Sequence, residues 1–396
     1  MRVLVVHNFY QQWGGEDECA IQETNLLKAH GHEVDLLSRH NDEIKKLSKL
    51  RMGALFFEPT WSPKSFRVTC QAIKSFKPDV IHCHNFFPLI SPAIIYAASK
   101  YNVPVVQTLH DWRLLCPTGW LFRNGKVCEE CIDKTLLSGI RYRCYHESSI
   151  QTASVALMLA THRTLKTWDR RIDAYIALTE HGKAKFVQGG LPAEKIHIRP
   201  NFFPQTPNIE MPRREYALFV GRLSEEKGIK ILLEAWQYLP EIPLVIVGDG
   251  NLMPWAKSFI QDRKINNVRL VGFVPLDEVL EYQKKAMFLV MPSVWYETFG
   301  RVILEAYSVG TPVIASRLGA MAELVDEGST GLCFTPGDAT DLQSKVNYAM
   351  NNRDTLAVWG MNARRKLLEQ YSPDVAYEKL MCIYGHVIVS RKRSHV

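Results

Sequence analysis

The residues best suited to chemistry lie in the run from Pro292 to Ala306, PSVWYETFGRVILEA, where Glu297 and Glu305 are separated by seven residues. The run follows a strand pattern, Met287–Met291, and leads into an apolar helical pattern carried by Val302, Ile303 and Ala306. Thr298 to Gly300 then form a helix N-terminus, where unpaired amides and the helix dipole attract an anion. Two carboxylates beside an anion are awkward unless they bind something else. One is expected before the helix and the other two turns inside it, where both can accept hydrogen bonds from hydroxyls. A ribose and a sugar joined by a diphosphate present such hydroxyls around such an anion. Upstream, Phe219 to Gly228 (FVGRLSEEKG) reads as a strand ending in a glycine turn, with Arg222 and Lys227 five residues apart. Two cations in a glycine-bearing loop suit a diphosphate; singly, each reads as a surface charge.

The first half offers histidines and cysteines. His110 and Asp111 close a strand pattern, Val103–Thr108, at the sheet edge where α/β sites form. A lone histidine is more often structural than catalytic. His82 and His84 end the Asp79 strand similarly and suit the lining of an acceptor cleft, with His84 the acceptor-side candidate. Gly14 and Gly15 follow the first strand; paired glycines allow close backbone approach to a ligand and positive φ, or make a simple turn. Cys116, Cys128, Cys131 and Cys144 have the spacing C-x11-C-x2-C-x12-C. Four thiolates with one CxxC suit a structural Zn²⁺; an iron–sulfur cluster uses the same ligands, and free thiols or a disulfide are the plain alternatives.

These residues need positioning elements. In the first half, strand patterns at Arg2–His7, Glu33–Leu37, Asp79–Cys83, Val103–Thr108 and Asp173–Leu178 alternate with helical stretches such as Asp17–Ala29 and Ser65–Phe76. The second half repeats the plan at Tyr216–Val220, Leu244–Val247, Val268–Val271, Met287–Met291, Pro312–Ala315 and Gly331–Phe334. Buried strands alternating with helices predict parallel α/β sheets, here two, with a ligand cleft expected between them. The domains run 1–200 and 201–372, divided at the proline-rich Arg199–Asn208, with a cysteine insert over 112–147. Residues 373–396 form a final helix expected to pack back on the first domain. Ser148–Trp168 reads as one long helix, either core-packed or lying near an anionic membrane. Leu244 to Gly250 (LVIVGDG) could open a dinucleotide fingerprint, but position 253 is Met instead of a third glycine.

At 396 residues the chain fits about two domains of ~100–200 residues each. Its 46% apolar and 22% charged residues exclude wholesale disorder. No apolar run approaches the ~20 residues of a bilayer-spanning helix, and the N-terminus lacks a signal-peptide layout, so a cytoplasmic protein is expected. Net charge is +7; residues 1–200 hold 26 Lys/Arg against 19 Asp/Glu and the rest 22 against 22, so the excess lies in the first half. That suits an anionic partner or an ordinary solvated surface.

Taken together, GRL with KG, VGDG, GFV, the Glu297/Glu305 element, GTPVIA and TGLCFTPGD resemble the retaining GT-B glycosyltransferases of family 4, most strongly from Phe219 to Asp338. The resemblance implies two facing Rossmann-like domains, with a nucleotide-diphosphate sugar on the second. Arg222 and Lys227 would hold the diphosphate, Glu305 the ribose and Glu297 the transferred sugar. The amides of Phe299 and Gly300 would face the sugar or phosphates, and backbone near Phe273 the base. Gly14 and Gly15 would border the phosphates, and His110 would lie near the transferred sugar as a catalytic residue beside Glu297, Lys227 and Arg222, with Asp111 orienting it or the acceptor. It also implies transfer with retention and no catalytic metal. The acceptor is then a glycan or lipid-linked glycan of cell-surface polysaccharide synthesis, with peripheral contact to an anionic membrane.

Three other functions compete. A nucleotide-sugar epimerase or sugar phosphorylase shares the fold, although the glutamate element with GRL and KG argues against an epimerase. A dehydrogenase fails on the missing glycine. A non-enzymatic binder of nucleic acid or anionic surfaces would use the basic half, but no nucleic-acid motif is present and the excess is diffuse, so no nucleic-acid partner is expected.

Overall fold

Runs of β-branched residues too short and too apolar for surface helices form buried parallel strands, and the helices between them cover both faces. The computed structural model describes residues 1–45, 53, 55–204 and 214–393. It separates into two units: residues 1–121, 128–200 and 376–396, and residues 122–127 with 201–375.

The first unit holds β1 (Arg2–Phe9), β2 (Glu33–His40), β3 (Val80–Cys83) and β4 (Val105–Thr108); next in the chain is a small hairpin, β5 (Phe122–Arg123) and β6 (Lys126–Val127), which groups with the second unit. β7 (Ala174–Ala177) and β8 (Ile196–Ile198) complete the sheet, in the order β2-β1-β3-β4-β7-β8 with every pairing parallel. The second unit holds β9 (Tyr216–Val220), β10 (Leu244–Val247), β11 (Val268–Gly272), β12 (Ala286–Met291), β13 (Val313–Ser316) and β14 (Gly331–Phe334). Their order is β11-β10-β9-β12-β13-β14, again all parallel. Both are Rossmann-like sheets, and each reverses its winding once: between β1 and β3 in the first, between β9 and β12 in the second. Strand carboxyl ends beside such a reversal are where ligands bind in open α/β sheets.

Several sequence expectations change in detail. The expected helix over Ser148–Trp168 is two, Ser149–Thr164 and Thr167–Arg170, because Lys166 takes a left-handed conformation at φ 51°. The longer one buries Val155, Ala156, Met158 and Leu159, so its apolar middle belongs to the core. The expected linker is not loose at its start: Arg199, Asn201, Phe202 and Phe203 are buried, while its residues 205–208 lie outside the described ones. β8 and the β5–β6 hairpin carry no sequence pattern long enough to anticipate.

The C-terminal helix Pro373–Arg393 has no proline after its first residue, and Gly385 is carried within it. Leu380, Ile383, Tyr384 and Val387 recur at helical spacing and form one core with Val3, Val5, Val80, Val106, Ala174 and Ile176 of the first sheet. No helix among the described residues is long and apolar enough to cross a membrane. Leu380 is fully buried, so Leu380→Ala is expected to cost about 2–5 kcal/mol. Urea unfolding followed by far-UV circular dichroism measures it.

Candidate functional site

In the second unit the loops after β9 and β12 meet at the winding reversal. Gly228, at φ 72°, ends a short turn over Glu225–Lys227 and precedes the helix Ile229–Trp236. A Cβ on Gly228 would lie 1.9 Å from the Pro292 carbonyl oxygen, so only glycine lets the two loops touch. Val294 N–H donates to the Glu226 carbonyl at 2.9 Å, closing the junction. The consequence is that Lys227 Nζ reaches Glu297 Oε1 at 2.6 Å, and the Ser293 hydroxyl donates to the same oxygen at 2.9 Å. Lys227 also lies 5.3 Å from the Trp295 ring centre.

Glu297 is buried, which pushes its pKa up, but the Lys227 ammonium and the hydrogen bonds it accepts hold it below the usual carboxylate range. Arg222 is about half exposed, with its guanidinium 3.3 Å from Glu226 Oε1. The strand–glycine motif after β10 has a packing explanation: a Cβ on Gly248 would sit 1.9 Å from the Gly221 carbonyl oxygen. These glycines seat β10 against the Arg222 loop, and the dinucleotide reading loses its motive.

The helix after Glu297 spans Arg301–Ser308, with Gly300 at its N-cap in a left-handed conformation. Glu305 is its fifth residue, buried and a little over one turn in, where the sequence pattern suggests two. Phe299 is buried, its ring edge-on to Tyr371 at 6.0 Å, and Phe273 is strongly exposed in the loop after β11. The second unit therefore gathers Lys227 and Glu297 directly, with Arg222 on the same loop.

In the first unit, the loops after β1, β3 and β4 carry the site. Gly14 caps α1 (Gly15–Ala29) with φ −130°, and Gly15 is helical, so the expected positive φ at this pair does not occur. The loop is held by Asp17, whose carboxylate accepts from Gly14 N–H at 3.0 Å and lies 2.8 Å from His7 Nε2. A small cavity is lined by Glu16, His84, Phe87, His110, Asp111 and Arg113, among others. His84 Nδ1 and His110 Nε2, both on the cavity lining, share a hydrogen bond of 2.9 Å, which makes His84 a direct partner of His110. Asp111 turns to Arg113: it accepts from the Arg113 N–H at 2.8 Å and faces its guanidinium at 3.7 Å.

Burial keeps both imidazoles neutral, pushing His84 down to about 4 and His110 well below its ordinary value. Burial also pushes Glu16 and Asp111 up, Asp111 adding to the effect on Glu16.

Four residues of this region carry no sequence signal. Glu23, on α1, forms a buried ion pair with Arg199 and lies 2.6 Å from His82 Nδ1. Glu16 accepts from the Tyr10 hydroxyl at 2.8 Å, and the Arg113 guanidinium stacks 4.4 Å from the Phe87 ring centre. A charged residue in a helical or linker pattern looks solvated, so sequence reasoning misses all four.

Within the insert, Cys116 and Cys131 are buried and share a thiol hydrogen bond, which lowers Cys116 to about 5 and raises Cys131. Cys144 is close enough to raise Cys131 further. Cys128 and Cys144 are half-buried, and none of the four forms a disulfide. Among the described residues, the set of metal-type ligand atoms within 4.8 Å of one another is Glu23, His82 and His84, not the cysteines.

Residues 13–204 match the family Glycosyltransferase Family 4, and residues 205–366 match Glycosyl transferases group 1. An uncharacterised glycosyltransferase of Methanocaldococcus jannaschii is 31% identical over 170 residues, 43% of this chain and 46% of that protein. A glycogen synthase of Mycobacterium tuberculosis is 28% identical over 306 residues, 75% of this chain and 66% of that protein. The matches thus span between about half and two thirds of these relatives' length. Among solved structures, Anabaena HepE in complex with UDP-glucose superposes with a TM-score of 0.65 at 20% identity, covering 100% of both chains. This likeness extends to other glycosyltransferases of GT-B architecture and establishes the fold.

The Lys227–Glu297 pair has a definite pH signature. With its pKa lowered by folding, Glu297 contributes stability above the unfolded carboxylate value of about 4.3, lost as pH falls through the lower folded value. Lys227→Met removes the main opposing charge, burial dominates, and Glu297 titrates higher. The variant is expected to lose about 1–3 kcal/mol at neutral pH, with the gap narrowing toward pH ~4. Urea midpoints of both proteins across that range measure the effect.

Proposed function

We propose a donor and a reaction for a chain that is a glycosyltransferase in both of its domains, family 4 in the first and group 1 in the second. The donor is a nucleotide-diphosphate sugar bound on the second unit. The observation that carries this reading is Lys227 held 2.6 Å from Glu297 beside the β9–β12 reversal. A diphosphate placed there meets the Lys227 ammonium and the half-exposed Arg222 guanidinium, both able to stabilise the charge that develops as the sugar leaves. The ionised Glu297 and the buried Glu305 are acceptors for hydroxyls, Glu297 for the transferred sugar and Glu305 for the ribose. Amides of Phe299 and Gly300 supply donors for the sugar or phosphates, and backbone near Phe273 meets the base.

On the first unit, His110 is the catalytic candidate, Gly14 and Gly15 are donor-binding candidates, and Asp111 and His84 are candidates for the acceptor. Transfer proceeds with retention; the leaving phosphate takes the acceptor proton, so positioning and charge stabilisation suffice without a general base or catalytic metal. The acceptor is a glycan or lipid-linked glycan of cell-surface polysaccharide synthesis. The basic first half suits peripheral contact with an anionic membrane from the cytoplasm.

A structural Zn²⁺ in the insert is a separate proposal. What supports it is the Cys116–Cys131 contact with the lowered Cys116 thiol; Cys128 and Cys144 would have to close on that pair. Elemental analysis is expected to find about one zinc per chain, lost in Cys116→Ser.

A panel of nucleotide sugars, UDP-sugars first, tests the main reading by calorimetry and product mass spectrometry. Lys227→Ala and Glu297→Gln are each expected to lower kcat/KM by about 100-fold or more. Glu305→Gln should act mainly on the donor KM. Full activity in the first two variants would end the assignment.

A further inference from the structure

His82, His84 and His110 of the first unit form a connected set whose proton positions the proposed reaction leaves unspecified. His82 and His84 project to the same side at the end of β3, two residues apart, and their rings stack 4.4 Å apart. His84 also stacks on His110 at 5.1 Å. The set is anchored on Glu23, which α1 delivers from beneath. The Glu23 carboxylate is divided between its neighbours: Oε2 pairs with the Arg199 guanidinium, while Oε1 lies 2.6 Å from His82 Nδ1 and 3.2 Å from His84 Nε2. Arg199 Nε additionally donates to the Ala376 carbonyl at 3.1 Å, and the Tyr384 hydroxyl lies 2.6 Å from His82 Nδ1. His82 Nε2 reaches the Thr108 hydroxyl at 2.8 Å.

The protons can be assigned from these contacts. Burial raises the pKa of Glu23, but Arg199 and the imidazoles outweigh it, so the carboxylate stays ionised and acts only as an acceptor. Its Oε1 lies 3.2 Å from His84 Nε2, and neither of these buried atoms makes a hydrogen bond of good geometry to any other group, so each is the other's polar neighbour. Two lone pairs opposed at that distance in a dry interior repel, so His84 Nε2 must carry the proton. A neutral imidazole has only one such proton, which leaves His84 Nδ1 as an acceptor. The single proton of the 2.9 Å His84–His110 bond then belongs to His110 Nε2.

We propose that Glu23 is a positioning residue that acts through His84 to fix His110 as the Nε2–H tautomer, making Nδ1 of His110 an acceptor. Within the proposed glycosyl transfer, His110 then presents a lone pair at Nδ1 and carries no proton there. The tautomer itself follows from the geometry and stands or falls independently of that reaction. A divalent cation on Glu23, His82 and His84 predicts the reverse: its bond to His84 Nε2 would place the proton on Nδ1 and force His110 to accept at Nε2. Arg199, already seated on Glu23, disfavours such an ion.

Selective ¹⁵N-histidine labelling with long-range ¹H–¹⁵N correlation decides, with His110 assigned from the missing signals of His110→Asn. The expected result is a neutral His110 protonated at Nε2, with His84 protonated at Nε2, between pH 6 and 8, and no bound metal at this cluster by elemental analysis of Cys116→Ser. In Glu23→Gln, the amide can donate to His84 Nε2, so both tautomers should invert. With a confirmed donor and acceptor, kcat should fall by about 10-fold or more with donor affinity unchanged. His110 protonated at Nδ1 in the wild-type protein, or stoichiometric metal that persists in Cys116→Ser, overturns the proposal. If Glu23→Gln does not fold, the wild-type spectrum alone still decides the tautomer; if it folds with His110 unchanged, Glu23 is not the positioning residue.

Discussion

Parallel strands place all their carboxyl ends on one edge, and a sheet that reverses its winding cannot cover that edge with its own crossovers at the reversal. Both units obey this constraint, and every candidate residue inherits its place from it. In the second unit, β9 and β12 are neighbours in the sheet but distant in sequence, so Lys227 and Glu297, 70 residues apart, become partners. In the first, β1 and β3 are the neighbours at the reversal and β4 is next, bringing the loops of Asp17, His84 and His110 to one edge. Chemistry is thus distributed along the chain but local in the sheet.

Holding these loops in place requires buried charge, and the two units manage it differently. In the first, Glu23 and Arg199 are almost fully buried and 176 residues apart. Removing water from both is costly, and such pairs seldom add net stability over apolar packing. Breaking one by losing a single partner nevertheless costs about 3–5 kcal/mol, because the survivor stays buried without compensation. The pair therefore acts as a lock between α1, the end of β8 and, through Ala376, the start of the C-terminal helix. In the second unit, Arg222 remains in contact with solvent, while Glu226, Glu297 and Glu305 are buried.

Legibility from sequence follows the same physics. Strands such as Leu244–Val247 are plain because a fully buried parallel strand must be apolar at consecutive positions. Glu297 and Lys227 are legible because carboxylates and cations clustered near glycine turns have few structural explanations. Glu23 and Arg199 are hidden, since a glutamate in a helix and an arginine before a proline look like ordinary surface. The orientation of Asp111 toward Arg113 is hidden for a different reason: sequence adjacency to His110 gives no direction to a side chain. The glycine pair at Gly14–Gly15 misleads for the converse reason, because permissive residues need not use their freedom. Lys166 does use a left-handed conformation without being glycine, and so divides a helix that the apolar pattern runs together.

The buried pairs also change what the surplus charge can mean. The first half holds seven more cations than acids, a difference that invites a search for an anionic site. Yet the deep cations of the first unit are already matched: Arg199 by Glu23 and Arg113 by Asp111. Its histidines add nothing near neutrality where burial holds His84 and His110 unprotonated. The surplus must then come from residues outside this polar core, and attraction to an anionic surface is separable from the chemistry beneath it. Salt screens such exposed charges over about 10 Å at 0.1 M, whereas buried pairs are much less affected. Any attraction between those exposed charges and an anionic surface is therefore weakened by ionic strength, while the internal arrangement of Glu23, His84 and His110 is much less affected.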